Sequence, residues 1–287
     1  MGKIETAMAE ARVKQRQRVL QAIARGEPIA NSEVGAVLDD KGNVAEGEFD
    51  LKPLNFDAIR QIKLDNAALE KHRILPALQD EGAVAAYKML RTRVAQRMRA
   101  NGWRALAVTS TAPNEGKTLT ATNLAISLAG NVDQQVFLVD LDLRRPSLHQ
   151  YLGFTPDFNL ADYLEADVPL EDILVTIGID RLWVLPNRRT YHNSSEMLAS
   201  PHMARLVSEL MSNDPNRLII FDLPPILAAD DLLAFSPYID AVLLVAAEGK
   251  TRRADLSVAK DLLQNIYMAG VVLNRSSERT SGHYYPY

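Results

Sequence analysis

The chain contains no cysteine, which removes disulfides, thiolate metal sites and cysteine nucleophiles from consideration. It also lacks a basic excess. Its 32 Lys and Arg against 36 Asp and Glu leave a formal charge of -4, the wrong sign for a general nucleic-acid binder. No apolar run approaches the roughly 20 residues that span a bilayer. The first residues, MGKIETAMAEARVKQRQ, carry charges throughout instead of a continuous apolar segment, so no secretory signal is expected there. These absences lead to the expectation of a cytoplasmic protein with no transmembrane segment of its own and no nucleic-acid partner. What is present is ordinary for a soluble globular chain: 47% hydrophobic and 24% charged residues. A length of 287 residues allows one substantial domain plus an extension.

Residues 3–25 are rich in Ala, Glu, Lys, Arg and Gln, and Ile4, Met8, Ala11, Val19, Leu20 and Ile23 approximate one helical face. That helix is expected to end at Gly26, with Pro28 beyond it. Residues 26–52 read as a linker, with Gly, Pro, Asn and Ser among scattered acidic residues. A second amphipathic stretch is expected over 54–72 and a long helix over 82–100. From Trp103 onward the texture changes. Apolar β-type runs at Trp103–Thr109, Gln135–Val139, Leu182–Leu185, Arg217–Phe221, Ala241–Ala246 and Met268–Leu273 alternate with helical patterns. Such interleaving predicts an α/β fold with a mostly parallel sheet and helices on both faces. The expected organisation is a helical and linker extension over 1–80, an α/β domain over 81–275 and a flexible tail over 276–287. In sheets of this kind ligands bind at the carboxyl ends of the strands, so the residues just after each run carry the most information.

After the first run comes Ser110-Thr-Ala-Pro-Asn-Glu-Gly-Lys117-Thr118, leading into a helical pattern. A Gly-Lys-Thr core at a strand-to-helix turn suits a triphosphate: backbone N–H groups point inward and the helix start favours anions. Lys117 would reach the phosphates and Thr118 would ligate Mg²⁺. The strict phosphate-loop pattern has a Gly where Thr111 stands. Two further strand ends supply the context. Asp140 and Asp142 follow one strand two positions apart, a spacing that points both to one side. Asp222, in Phe-Asp-Leu-Pro-Pro, ends another. Carboxylates and a hydroxyl are hard oxygen ligands that suit Mg²⁺ held together with phosphate oxygens.

This set resembles the bacterial tyrosine kinases of capsule and exopolysaccharide synthesis, over about residues 81–287. Pro113-Asn-Glu-Gly-Lys-Thr118 is similar to the family's Pro-Gly-Glu-Gly-Lys-[Ser/Thr] loop, Asp140-Leu-Asp142-Leu-Arg144 to its Walker A′ motif, and Asp222-Leu-Pro-Pro225 to its Walker B motif. Ser195-Glu-Met-Leu198 and Val271-Val-Leu-Asn274 are further likenesses. The resemblance implies a P-loop NTPase-type fold, ATP and Mg²⁺ as cofactors, and phosphoryl transfer to tyrosine. It implies nucleotide binding by Asn114, Glu115, Gly116, Lys117, Thr118, Leu119 and Asn274, with Thr118, Asp142 and Asp222 at the metal. Lys117, Asp140 and Asp142 would form the catalytic set, with Asp140 accepting the tyrosine proton. It further implies activation by the cytoplasmic segment of a membrane polysaccharide co-polymerase, hence recruitment to the inner face of the membrane.

Three of the nine tyrosines, Tyr284, Tyr285 and Tyr287, fall in the last four residues after a polar, Gly-containing stretch. They are the expected phospho-acceptors. Thirteen residues beyond Asn274 extend up to ~40 Å, enough to reach a neighbour's site in an oligomer. The family commonly carries Glu-x-x-Arg-x-x-Arg for ring contacts, and those positions read Ala85, Lys88 and Arg91 here. Two other readings stay open at this point. One is a positioning or partitioning ATPase of the deviant Walker A group, whose signature lysine would fall at Ala112. The other is a non-catalytic nucleotide-binding scaffold of a polysaccharide export complex.

Overall fold

The computed structural model describes residues 53–75, 77–212 and 214–276. The helix expected over 3–25, the linker over 26–52 and the tail tyrosines Tyr284, Tyr285 and Tyr287 lie outside them. Eight strands form one sheet among the described residues: β1 (Arg60–Gln61), β2 (Ala105–Ser110), β3 (Gln135–Asp140), β4 (Val175–Thr176), β5 (Leu182–Leu185), β6 (Arg217–Asp222), β7 (Ala241–Ala247) and β8 (Tyr267–Asn274). Their order across the sheet is β1-β4-β5-β3-β6-β2-β7-β8. All pairings are parallel except β4 with β5. Every residue of β2, β6 and β7 is buried. Apolar runs such as Leu218-Ile-Ile-Phe221 can satisfy this position only in a sheet covered on both faces.

The helices that cover it follow from capping and periodicity. On one face lie α1 (Asn66–His72), the 21-residue α2 (Glu81–Asn101), α3 (Lys117–Ala129) and α4 (Leu148–Leu152). Met98, Leu124, Leu128 and Leu148 there join Leu106, Val108, Leu138 and Ile220 from the strands. On the other face, α5 (Leu160–Ala166), α6 (Leu170–Ile173), α7 (Ser194–Leu198), α8 (Pro201–Met211), α9 (Asp231–Phe235) and α10 (Arg253–Leu262) cover Ala107, Phe137, Val139 and Phe221. Alternate strand residues feed the two layers, as the two-residue side-chain period requires. The Asp80 side chain caps α2 by accepting from Ala83 N at 3.1 Å, and Gly102, at φ 67°, ends it.

The single amphipathic stretch expected over 54–72 is three elements instead: a 3-10 turn at Phe56–Ala58, strand β1 and helix α1. The competing force is tertiary. The Phe56 ring packs tilted against Trp183, centroids 4.5 Å apart, β1 adds to the sheet beside β4, and Asp65 starts α1 anew by accepting from Ala67 N at 3.0 Å. Leu69 and Ile74 are buried in the same core layer as α3, so the described part of the first 80 residues packs on the α/β body.

Parallel strands bring all their carboxyl ends to one edge. The register sets Asp140 opposite Asp222 and Val108 opposite Asp222 on the other side. Three strand ends and the start of α3 therefore converge on one point.

Candidate nucleotide-binding site

The loop from Ser110 to Gly116 joins β2 to α3. Its curvature needs left-handed backbone at Asn114 (φ 62°) and Gly116 (φ 98°), a conformation that Gly adopts freely and Asn more readily than most residues. At Gly116 the requirement is also steric, because an added Cβ would lie 1.9 Å from Asn274 Nδ2. The buried Glu115 carboxylate braces the loop from within. It accepts from Thr111 N (2.8 Å), Ala112 N (3.0 Å) and Thr111 Oγ1 (2.9 Å), and the Thr251 hydroxyl after β7 donates to it as well. Side chains from the neighbouring strand ends grip the loop carbonyls. Lys250 Nζ donates to Pro113 O, Asn274 Nδ2 to Glu115 O at 2.9 Å, and Arg275 Nη2 to Asn114 O at 2.9 Å.

On the other side of the loop lies a floor of carboxylates. Lys117 Nζ is 2.8 Å from Asp142 Oδ2 and 3.3 Å from Asp222 Oδ1. Thr118 Oγ1 donates to Asp222 Oδ2 at 2.6 Å and lies 3.4 Å from Ser147 Oγ. Asp140 is fully buried. Its Oδ2 accepts from Leu148 N at 3.0 Å and Ser147 N at 3.2 Å, and its Oδ1 from Asp142 N at 3.3 Å. The side chain that ends β3 thus holds the turn into α4 in place.

Burial pushes the Asp140 carboxyl well above the ordinary carboxylate range, and the nearby Asp222 adds to this. Burial likewise raises Asp222, against the pull of Lys117 and of the Thr118 hydrogen bond. For Lys117, burial alone would lower the pKa, but the Asp222 and Asp142 carboxylates outweigh it and the ammonium form is favoured. One cation among three carboxylates leaves an excess of buried negative charge, which is costly without a further positive partner. That donor chemistry fits a Mg²⁺ ion. Among the described residues no three His, Asp or Glu are arranged to hold a metal by themselves. Mg²⁺ commonly takes one or two carboxylates and completes its shell with phosphate oxygens and water, and Thr118, Asp142 and Asp222 are the groups placed to hold it.

The structure brings together Asn114, Glu115, Gly116, Lys117, Thr118, Asp140, Asp142, Asp222 and Asn274. Leu119 contributes differently: its side chain packs partly buried against the α3-side core, leaving only its backbone near the loop. The likeness at Ser195-Glu-Met-Leu198 acquires a physical role one residue earlier. Ser194 is buried and shares Arg144 with Asp231: Arg144 Nε lies 3.0 Å from Ser194 Oγ and 3.2 Å from Asp231 Oδ1. Sequence reasoning missed Ser147, Thr251 and Arg275. For Thr251 and Arg275 the signal was their place just after the carboxyl ends of β7 and β8. For Ser147 nothing in the local sequence marks it.

Comparison with known proteins agrees with this geometry. The CobQ/CobB/MinD/ParA nucleotide binding domain family matches residues 106–285. Tyrosine-protein kinase YwqD of Bacillus subtilis (strain 168) is 30% identical over 190 residues, covering 66% of this chain and 79% of that protein. Tyrosine-protein kinase ptk of Acinetobacter johnsonii is 27% identical over 221 residues, 75% of this chain but 30% of that protein. The chain therefore spans about a third of the length of ptk. Among solved structures, the kinase domain of the Escherichia coli tyrosine kinase ETK superposes with a TM-score of 0.58 at 26% identity, covering 84% of this chain and 88% of the other. The match over residues 106–285 and the likeness to YwqD show that the chain belongs to the CobQ/CobB/MinD/ParA nucleotide-binding family and, within it, to the bacterial tyrosine kinases.

Proposed function

We propose that this chain is an ATP- and Mg²⁺-dependent protein-tyrosine kinase whose acceptors include Tyr284, Tyr285 and Tyr287 of its own tail. The observation that carries the proposal is the carboxylate floor itself: the buried ammonium of Lys117 pairs with Asp142 and Asp222, and the buried Asp140 adds to the same field. A phosphoryl-transfer site works mainly by positioning and charge stabilisation, and this arrangement supplies both. Lys117, drawn away from Asp142 and Asp222, pairs with the phosphates, while the helix start and the loop N–H groups orient them. Thr118, Asp142 and Asp222 hold Mg²⁺, directly or through water. The bound ion would neutralise charge on the phosphate oxygens.

Asp140 accepts the tyrosine proton in this reading. Its raised pKa makes it a better base than an exposed aspartate. Ala112 stands where a deviant Walker A ATPase would carry its signature lysine, which favours the kinase over a positioning ATPase.

The family resemblance supports a cellular role in regulating exopolysaccharide or capsule synthesis and export. In that role the chain is recruited to the inner face of the membrane by the cytoplasmic segment of a polysaccharide co-polymerase, and residues 1–80 help the contact. Among the described residues no helix is long and apolar enough to cross a membrane. Self-association allows transfer between copies. The family's ring contact is altered here: Ala85 and Lys88 are exposed, and Arg91 turns back to donate to Ser127 O.

Incubation with Mg²⁺ and γ-labelled ATP tests the proposal, beside Lys117→Met and a Tyr284/Tyr285/Tyr287→Phe variant. Label on tail tyrosines that disappears in both variants is the expected result. ATP binding without label, even after addition of a membrane partner's cytoplasmic segment, would overturn it in favour of a scaffold. Release of free phosphate alone would point to a positioning ATPase.

A further inference from the structure

Beside the carboxylate floor a groove opens between the turn after β3 and the loop after β5. It is lined by Arg144, Arg145, Ser147, His149, Arg188 and Thr190, among others. Its two walls are fastened together. Tyr191 N donates to Leu143 O at 2.8 Å, and His149 Nδ1 lies 2.9 Å from Asn187 O. The buried Asn187 side chain shapes the second wall, accepting from Arg189 N at 3.1 Å and donating to Arg189 O at 3.0 Å. The groove is therefore preformed, which lowers the ordering cost of binding.

Its charges are unequal in how they are used. Arg144 is committed to Ser194, Asp230 and Asp231. Arg189 turns away from the groove, pairing with Glu165 at 2.7 Å and lying over the Tyr191 ring. Arg145 and Arg188 are exposed, and among the described residues neither has a carboxylate partner. The local field is positive enough that Arg188 adds to burial in lowering the His149 pKa. Two free guanidinium forks on facing walls match the oxygens of a phosphate, which Arg recognises by paired N–H bonds. At its inner end the groove reaches Ser147, whose hydroxyl is 3.4 Å from that of Thr118. An anion there would sit next to the position of phosphoryl transfer, not within it.

We propose that this groove binds a phosphotyrosine already present in the acceptor segment and so presents a neighbouring tyrosine for transfer. The inference rests on the kinase reading for its biological use, but the site is a binding site in its own right. Tyr285 and Tyr287 are two residues apart, so in an extended segment they point to the same side about 7 Å from each other. One can occupy the groove as phosphotyrosine while the other faces Asp140. Modification of the cluster is then self-reinforcing: the first phosphate makes the second transfer easier.

The test uses the full chain carrying Tyr284/Tyr285/Tyr287→Phe and loaded with Mg-ADP, so that its own tail presents no phosphate. It is titrated with a peptide of residues 280–287 phosphorylated at Tyr287, with the same peptide unphosphorylated, and with inorganic phosphate alone. The phosphorylated peptide is expected to bind more tightly than the other two. Arg145→Ala and Arg188→Ala should each weaken it about tenfold or more without altering ADP affinity or thermal midpoint. Arg189→Ala, whose partner is Glu165, should leave it unchanged. Equal binding of both peptides, unchanged affinity in Arg188→Ala, or competition between phosphopeptide and ADP would each overturn the proposal. Inorganic phosphate binding as tightly as the phosphopeptide would show a phosphate site without tyrosine recognition and would overturn it too. No phosphate transfer is required in this titration, so failure of the kinase reading shows separately, as absence of label in the ATP experiment.

Discussion

The two sides of the phosphate loop solve opposite problems. Toward β7 and β8, every contact fixes shape: Thr251 holds Glu115, while Lys250, Asn274 and Arg275 each grip a loop carbonyl. Those groups are satisfied without any ligand. Toward β3 and β6, the contacts concern charge: one ammonium pairs with Asp142 and Asp222 beside the buried Asp140, and burial holds Asp140 and Asp222 above their ordinary pKa. On that side carboxylates outnumber the cations. A site that must bind a highly charged ligand can keep its backbone preorganised on one side and leave its electrostatics unbalanced on the other. Ligand binding then gains from charge neutralisation without having to order the loop.

The largest effect that would break this contrast is expected on the shape side. Gly116→Ala places a Cβ against Asn274 Nδ2 at a backbone φ of 98°. It should lower stability by roughly 1–3 kcal/mol and abolish measurable nucleotide binding by calorimetry. Adding Asn274→Gly removes the clash but not the backbone strain, so only partial recovery is expected. Full recovery would show that φ is unimportant there.

An intermediate effect, of opposite sign in the ligand-free protein, is expected on the charge side. Asp222 has a raised pKa in the fold, so the stability it confers is fully present below the unfolded carboxylate pKa of about 4. It is lost as pH rises through the folded value. Asp222→Asn lacks that loss. Its thermal midpoint should therefore gain on that of the unmodified chain as pH rises from about 4 toward neutrality. Mg-ADP should oppose that gain, because the variant has lost a metal-side oxygen. A constant difference across that pH range would mean that Asp222 is not destabilised by its burial.

The smallest effects separate the braces from one another. Thr251→Val leaves the buried Glu115 without one donor and should cost about 1 kcal/mol. Arg275→Ala, at an exposed position, should cost less, in the range of a few tenths of a kcal/mol. Denaturant midpoints would rank the two. If Arg275→Ala proves the more damaging, the loop is held from its exposed rim and not from Glu115.

Much of this was legible along the chain. The strands Leu182–Leu185, Arg217–Phe221 and Ala241–Ala246 lie within one residue of their observed ends, because a buried parallel strand must be a continuous apolar run and nothing else in the chain imitates one. The loop and the aspartates were legible for a similar reason: phosphate and Mg²⁺ chemistry demands particular residue types just after strand ends. The stretch over 54–72 was misleading, since its amphipathic spacing serves a turn, an edge strand and a short helix once Trp183 and β4 are beside it. Arg188 and Arg189 are adjacent in sequence and look equivalent. Only the fold shows that Arg189 pairs with Glu165, 24 residues away, while Arg188 has no carboxylate partner among the described residues.

The sequence by itself determined the fold class, the extent of the central strands and the place of the phosphate loop, since these depend on local periodicity and on residue types at strand ends, while the edge strands β1 and β4 escaped it. Tertiary structure alone decided which face each aspartate serves, that Thr251 helps Glu115 brace the loop, and that Arg145 and Arg188, without carboxylate partners among the described residues, line one groove beside Ser147. Such facts depend on the register of strands far apart in the chain, and on which charges find partners. Residue order alone carries no measure of either.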